Sequence, residues 1–245
     1  MYIEEYFWIV GALLVLGVFS FYASHKVKST YKKYNKIPNR LGITGSQCAS
    51  RLLLSRGIID VGIGRVSGSL SDHYDPTKAV VNLSDSTYDS TSIAAVAVAA
   101  HEIGHVDQNK SGVAFYKLRT LLVPITNIGS YLAMPLVFIG LFIDSGIALT
   151  TDADIGFTIA MIGVILYGSG FLFNLVTLPV ELDASRRACE MLLEQGVILE
   201  EEKDSASAVL KAAALTYLAA TLTSLVYFIR FLLYVLGAFG KRNRR

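Results

Sequence analysis

Four stretches of this chain are almost free of charge, and polar segments separate them. The first covers residues 7–22, Phe-Trp-Ile-Val-Gly-Ala-Leu-Leu-Val-Leu-Gly-Val-Phe-Ser-Phe-Tyr. The second and third cover roughly 125–143 and 155–180. The last, 206–240, is apolar apart from Lys211 and Arg230 within its core. The central pair approach or exceed the roughly 20 residues needed to span a bilayer. Neither shows the one-sided polarity of a helix buried in a soluble protein. The first run differs from a cleaved signal peptide: Glu4 and Glu5 precede it where basic residues belong, and no A-x-A site follows. It reads as a retained membrane anchor.

Between residues 41 and 109 the pattern is that of a water-facing fold. Thr44-Gly45-Ser46-Gln47 fits a capping box, and the helix it opens runs through Ala49, Leu52, Leu53 and Leu54 to Gly57. Residues 58–66 predict a strand. Residues 70–74 and 79–83 predict a hairpin closed by Asp75-Pro76-Thr77-Lys78, with Pro at the favoured second position of the turn. Asp89 or Ser90 is the expected cap of a helix that begins near Ser92.

Composition agrees with a membrane protein: 53% of the 245 residues are hydrophobic, and the mean hydropathy is +0.48. The net charge of +2 says less than its placement. Lys26, Lys28, Lys32, Lys33, Lys36 and Arg40 follow the first apolar run, which predicts that this side is cytoplasmic. So close to a hydrophobic span, such a basic run points to topology and lipid headgroups rather than to nucleic acid. Asp144, Asp152 and Asp154 lie between the two central runs without Lys or Arg, as in an outer loop. Arg186, Arg187 and Lys203 return the chain to the cytoplasmic side. The tail Lys241-Arg242-Asn243-Arg244-Arg245 then sits awkwardly, because one more crossing places it outside. A part of 206–240 packed in the soluble domain, or a re-entrant segment, are the other readings. Cys48 and Cys189 match no metal or redox spacing and read as free thiols.

The chemistry sits in Ala99-Ala100-His101-Glu102-Ile103-Gly104-His105, an H-E-x-x-H sequence among small residues. Histidines four apart share one helix face and can bind one Zn²⁺. Glu102, beside the first of them, can act on a water at that metal. A buried helix has no structural use for two imidazoles and a carboxylate together, because unpaired buried charge is costly. Catalytic zinc takes three protein ligands plus water. His25 lies at the membrane boundary and is a poor third ligand; His73, in the hairpin, remains open. Glu181 is the stronger candidate, since a membrane hairpin after Arg119 returns the chain to its starting side just there. Solvation at the interface, or pairing with Arg186 or Arg187, is the competing use of Glu181.

These residues also carry a resemblance. Val27-Lys28-Ser29-Thr30-Tyr31, Asp72-His73-Tyr74-Asp75-Pro76, residues 94–105, Leu178-Pro179-Val180-Glu181, Ala184-Ser185-Arg186-Arg187-Ala188 and Lys211-Ala212-Ala213-Ala214-Leu215-Thr216-Tyr217 resemble the YugP-like membrane neutral zinc metallopeptidases over essentially the whole chain. A weaker similarity links it to HtpX-type and CAAX prenyl proteases, whose later helix starts E-x-x-A-D and binds zinc through its Glu. The resemblance implies Glu181 as third ligand. Ser185 stands where the distant enzymes carry Asp, so a carboxylate behind a histidine is not implied at that position.

The expected fold is a mostly α membrane protein with a small α+β zincin-like catalytic domain. Its expected parts are an anchor (1–24), a cytoplasmic catalytic segment (25–120), a membrane hairpin (121–180), a cytoplasmic segment with the third ligand (181–211), and a hydrophobic helix with its tail (212–245). The expected activity is Zn²⁺-dependent peptide hydrolysis with Glu102 as general base. His73 ranks first as the oxyanion donor, ahead of Tyr74 or Arg186. The expected partners are protein or peptide substrates, membrane proteins among them, and the lipid bilayer of a bacterial cell membrane. Three rivals stand beside this reading: a regulated protease with one dedicated membrane substrate, a metal-retaining scaffold without catalysis, and a transporter. Intact Glu102 speaks against the scaffold, and the scarcity of polar groups in the central runs against the transporter.

Overall fold

The structure, a computed structural model, describes residues 3–146 and 154–240. Asp152 of the expected outer loop and the basic tail 241–245 lie outside the described residues. The protein is mostly helical with a small three-stranded sheet. Seven helices are described: α1 (Ile3–Tyr34), α2 (Gly45–Ser55), α3 (Asp85–Tyr88), α4 (Ile93–Lys110), α5 (Ala114–Gly146), α6 (Asp154–Glu194) and α7 (Glu200–Gly240). The strands are β1 (Gly62–Val66), β2 (His73–Asp75) and β3 (Val80–Ser84). α1, α5, α6 and α7 are each long and apolar enough to cross a membrane. The chain divides into two compact units.

One unit comprises Phe21–Lys117 and Pro179–Tyr217. Its core gathers Leu52, Leu53, Val81, Leu83, Ile103, Val106, Met191, Leu192 and Ile198. α4 is its axis, with thirteen of its residues buried, most of them Ala, Gly, Val or Ile. Small side chains let neighbours approach on every face, so this helix needs no amphipathic stripe. The capping box forms as expected: Thr44 Oγ1 accepts from Gln47 N at 3.2 Å, and Gln47 Oε1 accepts from Thr44 N at 2.9 Å. Gly57 follows that helix at φ +68°, a left-handed position that glycine takes without strain.

Two local expectations change. The hairpin forms, with β2 antiparallel to β3, but β1 is shorter than 58–66 and lies parallel to β3 on its other side, giving the order β1-β3-β2. The cap of α4 is Ser92, whose Oγ accepts from Ala95 N at 3.1 Å, and not Asp89 or Ser90. Asp89 is drawn away by Arg65, and the Ser90 hydroxyl donates to Ser92 Oγ.

The other unit comprises Met1–Ser20, Leu118–Leu178 and Leu218–Arg245. Within it α5 and α6 touch through small residues: a Cβ on Gly129 would meet Leu166 O at 2.6 Å, and one on Gly163 would meet Ala133 O at 2.6 Å. Close backbone approach of this kind is how helices associate where lipid removes the hydrophobic drive. Val137, Ala160, Val164, Val235 and Phe239 form its buried cluster. α6 passes through Pro179 without ending, although proline donates no hydrogen bond there. α7 is likewise one unbroken helix through 206–240: its first part packs in the unit containing α4, and its remainder belongs to the apolar unit.

Candidate metal centre

α4 presents His101 and His105 on one face, their rings edge to face at 4.8 Å between centroids. Opposite them runs the polar part of α6. The two helices meet where α4 has Gly104: a Cβ there would lie 2.6 Å from Ala184 O. That approach sets Glu181, about one turn before Ala184, against both imidazoles. Glu181 Oε2 lies 3.1 Å from His101 Nε2 and 3.5 Å from His105 Nε2, with the side chain 2% exposed. Among the described residues, His101, His105 and Glu181 are the one group of three or more His, Cys, Asp or Glu side chains close enough to share an ion.

The donor set fits Zn²⁺. Ligand atoms about 2.0–2.2 Å from a tetrahedral ion stand about 3.4 Å from one another, and the two separations above bracket that value. Burial pushes the Glu181 carboxyl up, but the hydrogen bonds and charge of His101 and His105 outweigh it and hold it far below the usual carboxylate range. It is therefore an anion at neutral pH, as a ligand must be.

The far sides of both rings are also held. Gln108, fully buried, donates through Nε2 to Val180 O at 2.8 Å and to Asp183 Oδ2 at 2.9 Å. Both of those atoms are acceptors, so the amide oxygen is the atom that faces His105 Nδ1, at 3.0 Å. His105 therefore donates from Nδ1, which leaves the Nε2 lone pair free for a metal. Asp183 is shared by Arg186 and Arg187, at 2.6 and 2.7 Å, and Arg187 reaches Asp107 at 2.6 Å. Against a raising effect of partial burial, Gln108 and these two arginines hold the Asp183 carboxyl down at about 2. Ser185 Oγ lies 3.3 Å from His101 Nδ1. Sequence reasoning missed Gln108, although its spacing of three from His105 on a helix is the signal that could have found it. Asp183, two residues from Glu181 on α6, reaches the centre through Gln108.

Glu102 is buried beside the cluster, 7% exposed. Burial pushes its carboxyl up to about 7, the charge of His101 pulling the other way. Among the described residues no side chain hydrogen-bonds to it. It lines a cavity of about 280 Å³ with His101, Asp72, Tyr31, Leu210 and Tyr217.

His73 stands apart from the three-residue group. It is an exposed residue of β2 whose Nδ1 lies 2.9 Å from Ser71 O and whose Nε2 lies 3.2 Å from Asn82 Nδ2. The Tyr74 hydroxyl accepts from Asn109 at 3.1 Å. The Arg186 guanidinium is engaged by Asp183 and Glu190. His25 is an exposed residue of α1.

Comparison with known proteins bears on the family of the chain. No solved structure matches the chain. A curated relative named "Putative membrane protease YugP", from Bacillus subtilis (strain 168), is 42% identical over 225 residues, covering 92% of this chain and 95% of the relative. The family described as "Putative neutral zinc metallopeptidase" matches residues 7–236. With that coverage, the chain belongs to this family of neutral zinc metallopeptidases.

Proposed function

We propose that this protein is a membrane-embedded endopeptidase that holds Zn²⁺ through His101, His105 and Glu181 and uses Glu102 as its general base. The observation that carries the proposal is the meeting of Glu181 with the two histidines, beside the buried carboxylate of Glu102, to which no side chain among the described residues hydrogen-bonds. Zn²⁺ at this place would supply Lewis acidity toward the scissile carbonyl and lower the pKa of water. A Glu102 oxygen takes the proton of the attacking water, holds it, and gives it to the departing amine nitrogen. A carboxyl near 7 in the metal-free site suits both halves of that task, and a neighbouring cation lowers it toward the basic role. Ser185 and Gln108 orient the ligand rings. Val98, Leu210 and Ala213 give the cavity apolar walls that accept a side chain and exclude water.

β2 is an edge strand, and an extended substrate can add to it. His73 on that strand serves the oxyanion by exchanging its Asn82 contact for the substrate. The active site faces the cytoplasm, on the side of the basic flank 26–40. The catalytic segments are 25–120 and 181–211, on either side of the hairpin 121–180. The substrates are proteins or peptides.

The test is Glu102→Gln in the full-length protein in detergent, with zinc content and casein cleavage measured together. The amide cannot accept a proton, so zinc is retained and the rate falls about 10²–10⁴-fold. Cleavage at the wild-type rate removes Glu102 from the mechanism and leaves a zinc-binding scaffold contaminated by another protease as the remaining reading.

A further inference from the structure

On α1, Lys26, Thr30, Lys33 and Tyr34 face Lys211, Ala212 and Leu215 of α7 across a groove of about 330 Å³. No carboxylate lines it, and among the described residues none of the three ammonium groups has an ion pair. Lys33 reaches only the Tyr34 hydroxyl, at 3.4 Å, and the face of that ring. Three cations turned toward one cavity repel each other, and an anion between them removes that cost. The groove also has a fixed level along its helices. Lys26 follows the apolar run 7–22 of α1, and Lys211 is the last charged residue of α7 before Arg230. Each helix thus meets its long uncharged run at the groove, which is where a bilayer places its phosphates. Ala212, Leu215 and the Tyr34 ring add an apolar wall that a free inorganic ion does not need.

We infer that this groove binds the phosphate of an anionic phospholipid, with Lys26, Lys33 and Lys211 as its cationic ligands and Thr30 and Tyr34 as hydroxyl donors. The bound lipid has a consequence for the catalytic cavity. Val27 and Tyr31 of α1 and Leu210, Ala213 and Thr216 of α7 wall that cavity. Each is adjacent in sequence to a residue that lines the lysine groove. The two spaces are therefore opposite sides of one helix pair, and a lipid that clamps α1 to α7 holds the cavity wall in place. The coupling to activity rests on the endopeptidase reading; the lipid site itself does not.

The experiment uses full-length zinc-loaded protein and reads lipid retention by native mass spectrometry. Phosphatidylglycerol is compared with phosphatidylcholine of the same acyl chains, and inorganic phosphate is added as competitor. Two triple variants are compared: Lys26→Gln/Lys33→Gln/Lys211→Gln in the groove, and Lys28→Gln/Lys32→Gln/Lys36→Gln, an equal loss of charge outside it. Each lysine near a headgroup contributes about fivefold, so the groove triple weakens phosphatidylglycerol retention roughly a hundredfold. The outside triple keeps most of it, and phosphatidylcholine is not retained. Equal retention of both lipids, or an equal loss in both triples, overturns the site. Full displacement by millimolar inorganic phosphate shows a free-anion site and overturns the lipid assignment. In nanodiscs, phosphatidylglycerol raises casein cleavage by wild type and not by the groove triple; retention without that response overturns the coupling. A wild type that cleaves nothing in any lipid counts against the endopeptidase reading, while retention still decides the lipid site.

Discussion

Gln108→Leu separates the orientation of a ligand from its mere presence. Gln108 is fully buried and bonds three groups: His105 Nδ1, Val180 O and Asp183 Oδ2. Leucine fills nearly the same volume, so no large cavity results. Asp183 keeps Arg186 and Arg187, and Val180 O, inside α6, keeps the N–H four residues on, which leaves the His105 Nδ1–H as the unpaired group, at a cost of about 1–3 kcal/mol. The loss of the bonds that tie α4 to Val180 O and Asp183 of α6 lowers the stability of the fold. The orphaned imidazole acts on the metal, because its proton is no longer held at Nδ1 and its ring is free to turn. Losing such a partner weakens metal binding about 10–100-fold, or about 1.4–2.7 kcal/mol. The assay is zinc competition against a chromophoric chelator on full-length protein in detergent, beside a thermal melt. Gln108→Glu supplies the comparison: its carboxylate accepts from His105 and restores zinc affinity, but it cannot donate to Val180 O and it faces Asp183, so the melt stays low. Wild-type zinc affinity in the leucine variant, with only the melt lowered, would falsify the orienting role and leave Gln108 a packing residue.

Three further outcomes follow from the same geometry. Glu181→Ala loses much of the zinc affinity and essentially all activity, whereas His73→Ala keeps the metal and loses rate; zinc retained in the first and lost in the second reverses the two assignments. Gly104→Ala drives a methyl against Ala184 O, 2.6 Å from an ideal Cβ, and costs about 1–3 kcal/mol in a chemical melt; an unchanged midpoint means that α4 and α6 do not meet there. In a background lacking Cys48 and Cys189, thiol labelling of cysteines placed at Lys33 and Ser185 finds both on the cytoplasmic side and one at Asp152 opposite; Lys33 and Ser185 on different faces makes a shared active site of the two segments unattainable.

What could be read from the chain alone is what depends on local spacing. His101 and His105 share a face because a helix turns every 3.6 residues, and the Thr44–Gln47 box closes because its partners are three residues apart. The four apolar stretches announce themselves by length. Even locally, competition is decided elsewhere: Asp89 had the right chemistry to cap α4, yet Arg65, from another strand, takes it and leaves the cap to Ser92. Composition also marks where the chain leaves lipid but not where a helix stops, so α6 and α7 run on through boundaries that polarity alone suggests. The approach of Glu181 to His101, eighty residues away in sequence, requires two helices to touch at Gly104 and Ala184, and no periodicity encodes which helix faces which. The parallel place of β1 beside β3 is of the same kind. So is the second tier of the centre, in which Asp183 of α6 fixes a histidine of α4 through Gln108. Backbone geometry limits what neighbours in sequence can do, whereas contacts across the chain depend on the packing of every element between them, and only the folded arrangement selects one.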